Sequence, residues 1–179
     1  FVCAGLLLIS YWGMEGPVRL MAPWLSAGSY AIPFGFLLDP LSLLMLVIVT
    51  TISLLVQVYS LGYMAGDPGF SRYFAFMSLF VFSMTNLTLA PTLLQLYVFW
   101  ELVGLCSYLL IGFWYEKFSA TQAGKKAFVM TRLGDTAFFL GALLLLLHLG
   151  NVSIVEINSP SAAERLSPAF MTLAVLLIF

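Results

Sequence analysis

The sequence predicts an all-α integral membrane protein, a polytopic helix bundle with about four complete spans and a partial span at each end. Three observations predict it. The chain is 62% hydrophobic. Only 8% of its residues are charged, against roughly 25% in a soluble domain. Its apolar runs repeatedly reach the ~20 residues that cross a ~30 Å hydrocarbon slab as helix. Helices follow because lipid offers the backbone no hydrogen-bond partners. A net charge of -1 leaves no basic patch for nucleic acid, so the bilayer is the expected partner.

Residues 1–12 are apolar throughout, with no initiating Met and no basic leader, and read as the tail of a transmembrane helix rather than a signal peptide. Residues 13–38 form an extracytoplasmic connection carrying Pro17, Pro23, Pro33, Trp24 and Tyr30. Within it, 29–36 can make a short hairpin at headgroup level, where aromatics beside a span belong. Asp39-Pro40 has the form of an N-cap followed by Pro at the first helical position. It opens a transmembrane helix over 39–64, which Gly66-Asp67-Pro68-Gly69 closes with a turn signature. A span over 73–90 follows, and Pro91 opens another over 91–114 so soon that the two are antiparallel neighbours. Residues 115–126 form a polar link into a span over 125–149, which stops at Gly150. Residues 168–179 begin a truncated transmembrane helix, about half a span long. Both ends therefore read as cuts in a longer protein.

Alternating these spans puts Arg72, Lys117, Lys125 and Lys126 on one face and Arg19 and Arg165 on the other, so the Arg72 face reads as cytoplasmic. Cys3 and Cys106, 103 residues apart without a CxxC, read as small buried residues with free thiols. Thr85, Asn86 and Thr88 read as makers of interhelical hydrogen bonds.

Glu101 stands in the middle of an otherwise uncharged span. An isolated carboxylate is costly in hydrocarbon, so it must be paired, protonated or face a water-filled path, which points to proton or ion handling. Glu101 lies ~3 Å and Asp135 ~4.5 Å from the centres of their spans at ~1.5 Å per residue, within ~8 Å of each other in depth. The two acids can share one polar layer. Arg132 and Asp135, at i and i+3, fall on one helix face and are expected to pair. Gly104, Ser107 and Gly112 follow Glu101 on roughly one face, where small residues let a helix or water approach. Lys125 and Lys126 open their helix near the cytoplasmic boundary, either snorkelling to headgroups or feeding a proton path. His148, at the far boundary, is a solvated helix-end residue or a proton exit. The candidate proton path is thus Glu101, Asp135, Arg132, Lys125, Lys126 and His148, and the competing reading of the same charges is a static set that orders helix contacts. No phosphate loop, nucleophile–base pair or metal-spaced cluster occurs in the sequence, so no catalytic, cofactor-binding or metal residue is assigned.

Three motifs in order, Gly62-Tyr-Met-Ala-Gly-Asp-Pro-Gly-Phe-Ser-Arg-Tyr-Phe-Ala-Phe76, Tyr97-Val-Phe-Trp-Glu-Leu-Val-Gly-Leu-Cys-Ser-Tyr-Leu-Leu-Ile-Gly-Phe-Trp-Tyr115 and Lys125-Lys-Ala-Phe-Val-Met-Thr-Arg-Leu-Gly-Asp135, resemble the antiporter-like subunit L family of bacterial respiratory complex I. The same family supplies chain 5 in mitochondria and the F subunit of the photosynthetic form. The resemblance covers about residues 36–155. It implies a complex I/Mrp antiporter-like bundle of about fourteen or more helices, of which this chain holds roughly the second to the start of the seventh. It implies a membrane subunit of NADH-quinone oxidoreductase that couples electron transfer to proton translocation, in a bacterial plasma membrane, among other membrane and peripheral subunits. NAD, FMN, iron-sulfur centres and quinone belong to those partner subunits, with no cofactor in this chain. In the family the acid matching Glu101 pairs with a Lys of the seventh helix, expected here beyond Phe179, and Arg132 and Asp135 match charged sixth-helix positions. Monovalent cation/proton antiporter subunits and inorganic-carbon uptake subunits share the fold and remain alternatives, as does a structural membrane module.

Overall fold

A computed structural model describes residues 1–11, 16–27, 30–150, 153–160 and 165–178, with the side chains of 25–27 and 30–32 outside the description. In chain order they form α1 (Val2–Tyr11), β1 (Val18–Ala27), β2 (Tyr30–Leu38), α2 (Pro40–Tyr63), α3 (Phe70–Thr88), α4 (Leu93–Ile111), α5 (Phe118–Leu149), the short α6 (Ile154–Ile157) and α7 (Pro168–Ile178). Apart from the one-turn α6, the helices pack in sequence, α1 on α2, α2 on α3, α3 on α4, α4 on α5, and α5 on α7. The protein is thus a mostly helical integral membrane bundle. Helices α2, α4 and α5 are each long and apolar enough to cross a membrane. Between α2 and α4, the 19 residues of α3 reach about 28 Å.

Local chemistry sets the helix ends. The Asp39 carboxylate accepts the Ser42 N–H at 2.7 Å, with Pro40 first in α2. At its far end α5 closes on Gly150, whose φ of 68° is left-handed and whose N–H donates to the Leu146 carbonyl at 2.9 Å. The start of α4 differs from the sequence reading. Thr92, one residue after Pro91, is the cap, and its hydroxyl accepts the Gln95 N–H at 3.2 Å. The start of α5 differs more: the helix begins at Phe118, so most of the polar 115–126 link is its first turns. Ser119, Ala120, Thr121, Gln122 and Ala123 include no breaker, and a drop in hydropathy does not end a helix. Lys125 and Lys126 therefore lie about two turns inside α5 and are exposed rather than opening it.

The departure from an all-α chain is the hairpin. Its strands pair antiparallel, with Val18 opposite Leu38 and Pro23 opposite Pro33, and are longer than the 29–36 segment suggested. A two-stranded ribbon consists of edges, which is where proline is tolerated. A side chain is excluded at Gly35, where a Cβ would stand 2.0 Å from the Leu20 carbonyl oxygen. The hairpin docks on α4 through Gln95, whose buried amide accepts the Gly35 N–H at 3.0 Å and donates to the Gly35 carbonyl at 2.9 Å. A further bond runs from Leu37 N–H to the Leu89 carbonyl at 2.8 Å.

Small residues set helix approach. A Cβ on Gly124 of α5 would lie 3.5 Å from the Gly112 Cα at the end of α4, and one on Gly141 would press to 2.8 Å on Ile178 of α7. Among the described residues Ala4 packs in a small core with Leu43 and Leu46, and Leu145 in another with Leu166 and Ala174. Much of the remaining apolar surface, Ile52, Leu55 and Val58 among it, faces outward, as expected of helices whose solvent is lipid or further helices. Two expectations are corrected. Thr85, Asn86 and Thr88 bond to carbonyls of their own helix, at Val81, Phe82 and Thr85, since a carbonyl three or four residues back is always within reach. Cys106 is buried, but Cys3 is exposed; both thiols are free.

Candidate proton-transfer layer

The antiparallel helices α4 and α5 present their polar residues to each other at one level. On α4, the Glu101 side chain is 14% exposed, and the Tyr97 hydroxyl, one turn earlier, donates to its Oε1 at 2.7 Å. The other carboxylate oxygen pairs with Nη1 of Arg132 on α5. The Arg132 guanidinium lies 4.8 Å from the Phe128 ring centroid, a cation–π contact from the preceding turn of its own helix. Asp135 is buried, and its Oδ1 accepts the Trp100 indole N–H at 2.8 Å. The Tyr97 ring packs against Phe138 and Phe139 of α5, at 5.8 and 5.0 Å between centroids, which positions its hydroxyl.

The expected Arg132–Asp135 pair is therefore not formed. Both residues do share the α5 face toward α4, as their spacing requires. Across the interface, however, α4 offers a carboxylate to Arg132 and an N–H donor to Asp135. Half-exposed Arg132 and buried Asp135 each find a complementary partner there, with no need for the two to bend along the helix surface.

Beside this layer a cavity of about 480 Å³ lies between α4, α5 and α7, walled by Trp100, Asp135, Gly134, Phe138 and Ile178. Positions Gly104 and Gly134 face open space, while the Ser107 hydroxyl turns back to the Val103 carbonyl at 2.9 Å. The other candidates stay apart. Lys125 and Lys126 are exposed, six or more residues before Arg132, about 9 Å along the axis. His148 sits about 20 Å beyond Asp135, in the last turn of α5, its ring tilted against that of Phe170 with 3.9 Å between centroids. Among the described residues no three His, Cys, Asp or Glu side chains gather as a metal site.

Two members of the layer escaped the sequence reading. Tyr97 was legible in principle, since it stands four residues before Glu101 on one helix. Trp100 carried no signal, because its donor role depends on the neighbouring helix.

Residues 24–74 match the family described as NADH-ubiquinone oxidoreductase (complex I), chain 5 N-terminus. Residues 90–179 match the NADH:quinone oxidoreductase/Mrp antiporter transmembrane family. The NAD(P)H-quinone oxidoreductase chain 5 of a Synechocystis strain is 55% identical over 123 residues, 69% of this chain and 18% of that protein. The chloroplastic subunit 5 of Anthoceros angustus is 52% identical over 120 residues, 67% of this chain and 16% of that protein. The chain thus spans less than a fifth of the length of these relatives. Among solved structures, an Mrp complex from a Dietzia species superposes with a TM-score of 0.82 at 28% identity, over 97% of this chain and 19% of that one. The membrane-bound sulfane sulfur reductase, an archaeal respiratory membrane complex, gives a TM-score of 0.84 at 17% identity, over 99% of this chain and 35% of that one, and speaks for the fold alone.

Proposed function

This chain belongs to the NADH:quinone oxidoreductase/Mrp antiporter transmembrane family, and on that premise we propose that it is part of the proton-translocating membrane subunit of an NAD(P)H-quinone oxidoreductase. The observation that carries the proposal is Glu101, a carboxylate inside an apolar span, held between the Tyr97 hydroxyl and the Arg132 guanidinium. Ionised, Glu101 holds Arg132 across the interface. A proton on Glu101 cancels the charge that holds the guanidinium, and Asp135, three residues along α5, is then the nearest acid on the same face. Taking up and giving back a proton at Glu101 thus moves a cation by about one turn, a displacement that partner subunits can sense or drive. Lys125 and Lys126, about two turns inside one end of α5, and His148, in its last turn, mark where protons enter and leave. The Arg72 end faces the cytoplasm of a bacterial cell, α3 is the fourth span, and the redox cofactors sit in the partner subunits.

The test is Glu101→Gln in the full-length subunit within its assembled complex. Glutamine keeps the shape and hydrogen-bonding capacity but exchanges no proton. Proton uptake by inverted vesicles driven by NADH or NADPH is expected to fall sharply with assembly intact, and wild-type pumping would remove the proton-path reading. The similarity to the Mrp complex favours one second reading, a monovalent cation/proton antiporter subunit. Under that reading a sodium or potassium gradient, with no electron donor, builds a pH difference that Glu101→Gln abolishes.

A further inference from the structure

At the end of the bundle where α2 turns into α3 and α4 into α5, well away from the Glu101 layer, a cleft of about 180 Å³ opens between the first turns of α3 and the 112–121 segment. Its inner wall is apolar, from Phe76 and Leu109. Phe76 lies one turn into α3 from Arg72, about 6 Å deeper. The mouth is cationic. The Arg72 guanidinium carbon is 4.9 Å from the Phe113 ring centroid and 5.0 Å from that of Tyr115. Its Nη2 donates to the Phe113 carbonyl at 3.3 Å. Among the described residues that carbonyl is its one hydrogen-bond acceptor, whereas a guanidinium carries five N–H donors. The Thr121 hydroxyl donates to the Tyr115 carbonyl at 2.8 Å, tying the ring-bearing link to the first turn of α5. Next to the mouth, Lys117 Nζ stands 5.2 Å from the Trp114 ring centroid.

These features describe an amphipathic slot of fixed polarity. Trp114 and Tyr115 are exposed at the level where ring side chains meet lipid headgroups. Arg72, Lys117, Lys125 and Lys126 stand at this end against Asp67 and Glu116. Asp67 accepts the Gly69 N–H and the Trp114 indole N–H, and its charge also acts on Arg72, leaving four cations against two anions at this end. The local excess is positive, and the free donors belong to a planar guanidinium, which matches two phosphate oxygens at once.

We propose that this cleft seats an anionic phospholipid, its phosphate on Arg72 and Lys117 and the first carbons of one acyl chain along Phe76 and Leu109. Charge complementarity selects the anionic headgroup, since the quaternary ammonium of a zwitterionic lipid would stand among these cations. The apolar wall selects a lipid over a free anion, which would leave Phe76 and Leu109 uncovered. Basic pockets between spanning helices suit this class of ligand.

The experiment uses the full-length subunit in its assembled complex, reconstituted in nanodiscs of mixed phosphatidylglycerol and phosphatidylcholine. A photo-crosslinking phenylalanine analogue at position 76, with Arg72 untouched, is expected to trap phosphatidylglycerol in at least fivefold preference over phosphatidylcholine. Adding Arg72→Gln is expected to reduce that adduct about tenfold, while Lys125→Gln leaves it unchanged. Equal trapping of both lipids, no lipid adduct, or loss of the adduct to millimolar inorganic phosphate would overturn the proposal. Should Arg72→Gln fail to assemble, the lipid preference of the crosslink with Arg72 intact still decides it.

Discussion

Glu101 of α4 and Arg132 of α5 form an ion pair between helices, and the neighbouring Trp100–Asp135 hydrogen bond runs across the same interface at the same level. Two acids on two helices are thereby satisfied by donors on the opposite helix. The arrangement ties α4 to α5 at the depth where the bilayer would penalise any unpaired charge most.

The pairing can be measured by a double-mutant cycle on the stability of the solubilised complex. Arg132→Ala strands the Glu101 carboxylate, with an expected loss of about 1–3 kcal/mol. This is below the ~3–5 kcal/mol of a fully buried pair, because the Arg132 side chain is 42% exposed. Combining it with Glu101→Gln should cost less than the sum of the single changes. Arg132→Ala with Asp135→Asn should be close to additive; strong coupling there instead would restore the i, i+3 pair.

Trp100→Phe keeps an aromatic ring, smaller than the indole, and removes the N–H that Asp135 accepts. The stranded buried acceptor is expected to destabilise the complex by about 1–3 kcal/mol, read as a lowered thermal midpoint. An unchanged midpoint would show that the Asp135 carboxylate finds water from the adjoining cavity.

At the hairpin, Gln95→Leu removes both amide bonds and leaves the Gly35 N–H and carbonyl without their α4 partner. Gly35→Ala drives a methyl into the Leu20 carbonyl. Both variants should speed hydrogen exchange at the hairpin amides, by roughly tenfold or more for a loss of about 1.4 kcal/mol or above, with Gly35→Ala acting through strand separation and Gln95→Leu through undocking. Wild-type protection in both variants would mean that the hairpin is held by other contacts.

The α2–α3 turn should be acid-sensitive. The Gly69 N–H, then the Trp114 indole, then the Arg72 charge hold the Asp67 carboxyl below its ordinary value of 3.8. A carboxyl lowered on folding stabilises the turn fully above that ordinary value, and the contribution is lost as pH falls through the lower folded value. Protection of the Gly69 amide, its exchange relative to the intrinsic rate at each pH, should therefore fall below pH 3.8 in the wild type and show no such acid step in Asp67→Asn. An identical acid step in both proteins would assign it to another group.

The sequence by itself determined the class of protein and most of its helices. Hydropathy and length mark spans without any knowledge of neighbours, and Asp39-Pro40 and Gly150 act within one turn of chain, so both ends were readable. It also singled out Glu101, Arg132 and Asp135, because charge inside an apolar run is costly wherever the helix packs. Only the tertiary structure decided who pairs with whom. The i, i+3 spacing of Arg132 and Asp135 is a local offer, and α4 supplies a better one to each. The same holds for Thr85 and Asn86, where a nearby backbone carbonyl outcompetes a distant helix. The length of the hairpin and the Gln95–Gly35 bonds were hidden for a related reason: they join residues sixty positions apart, and a strand pairs with whatever backbone the fold brings alongside, which no local pattern encodes.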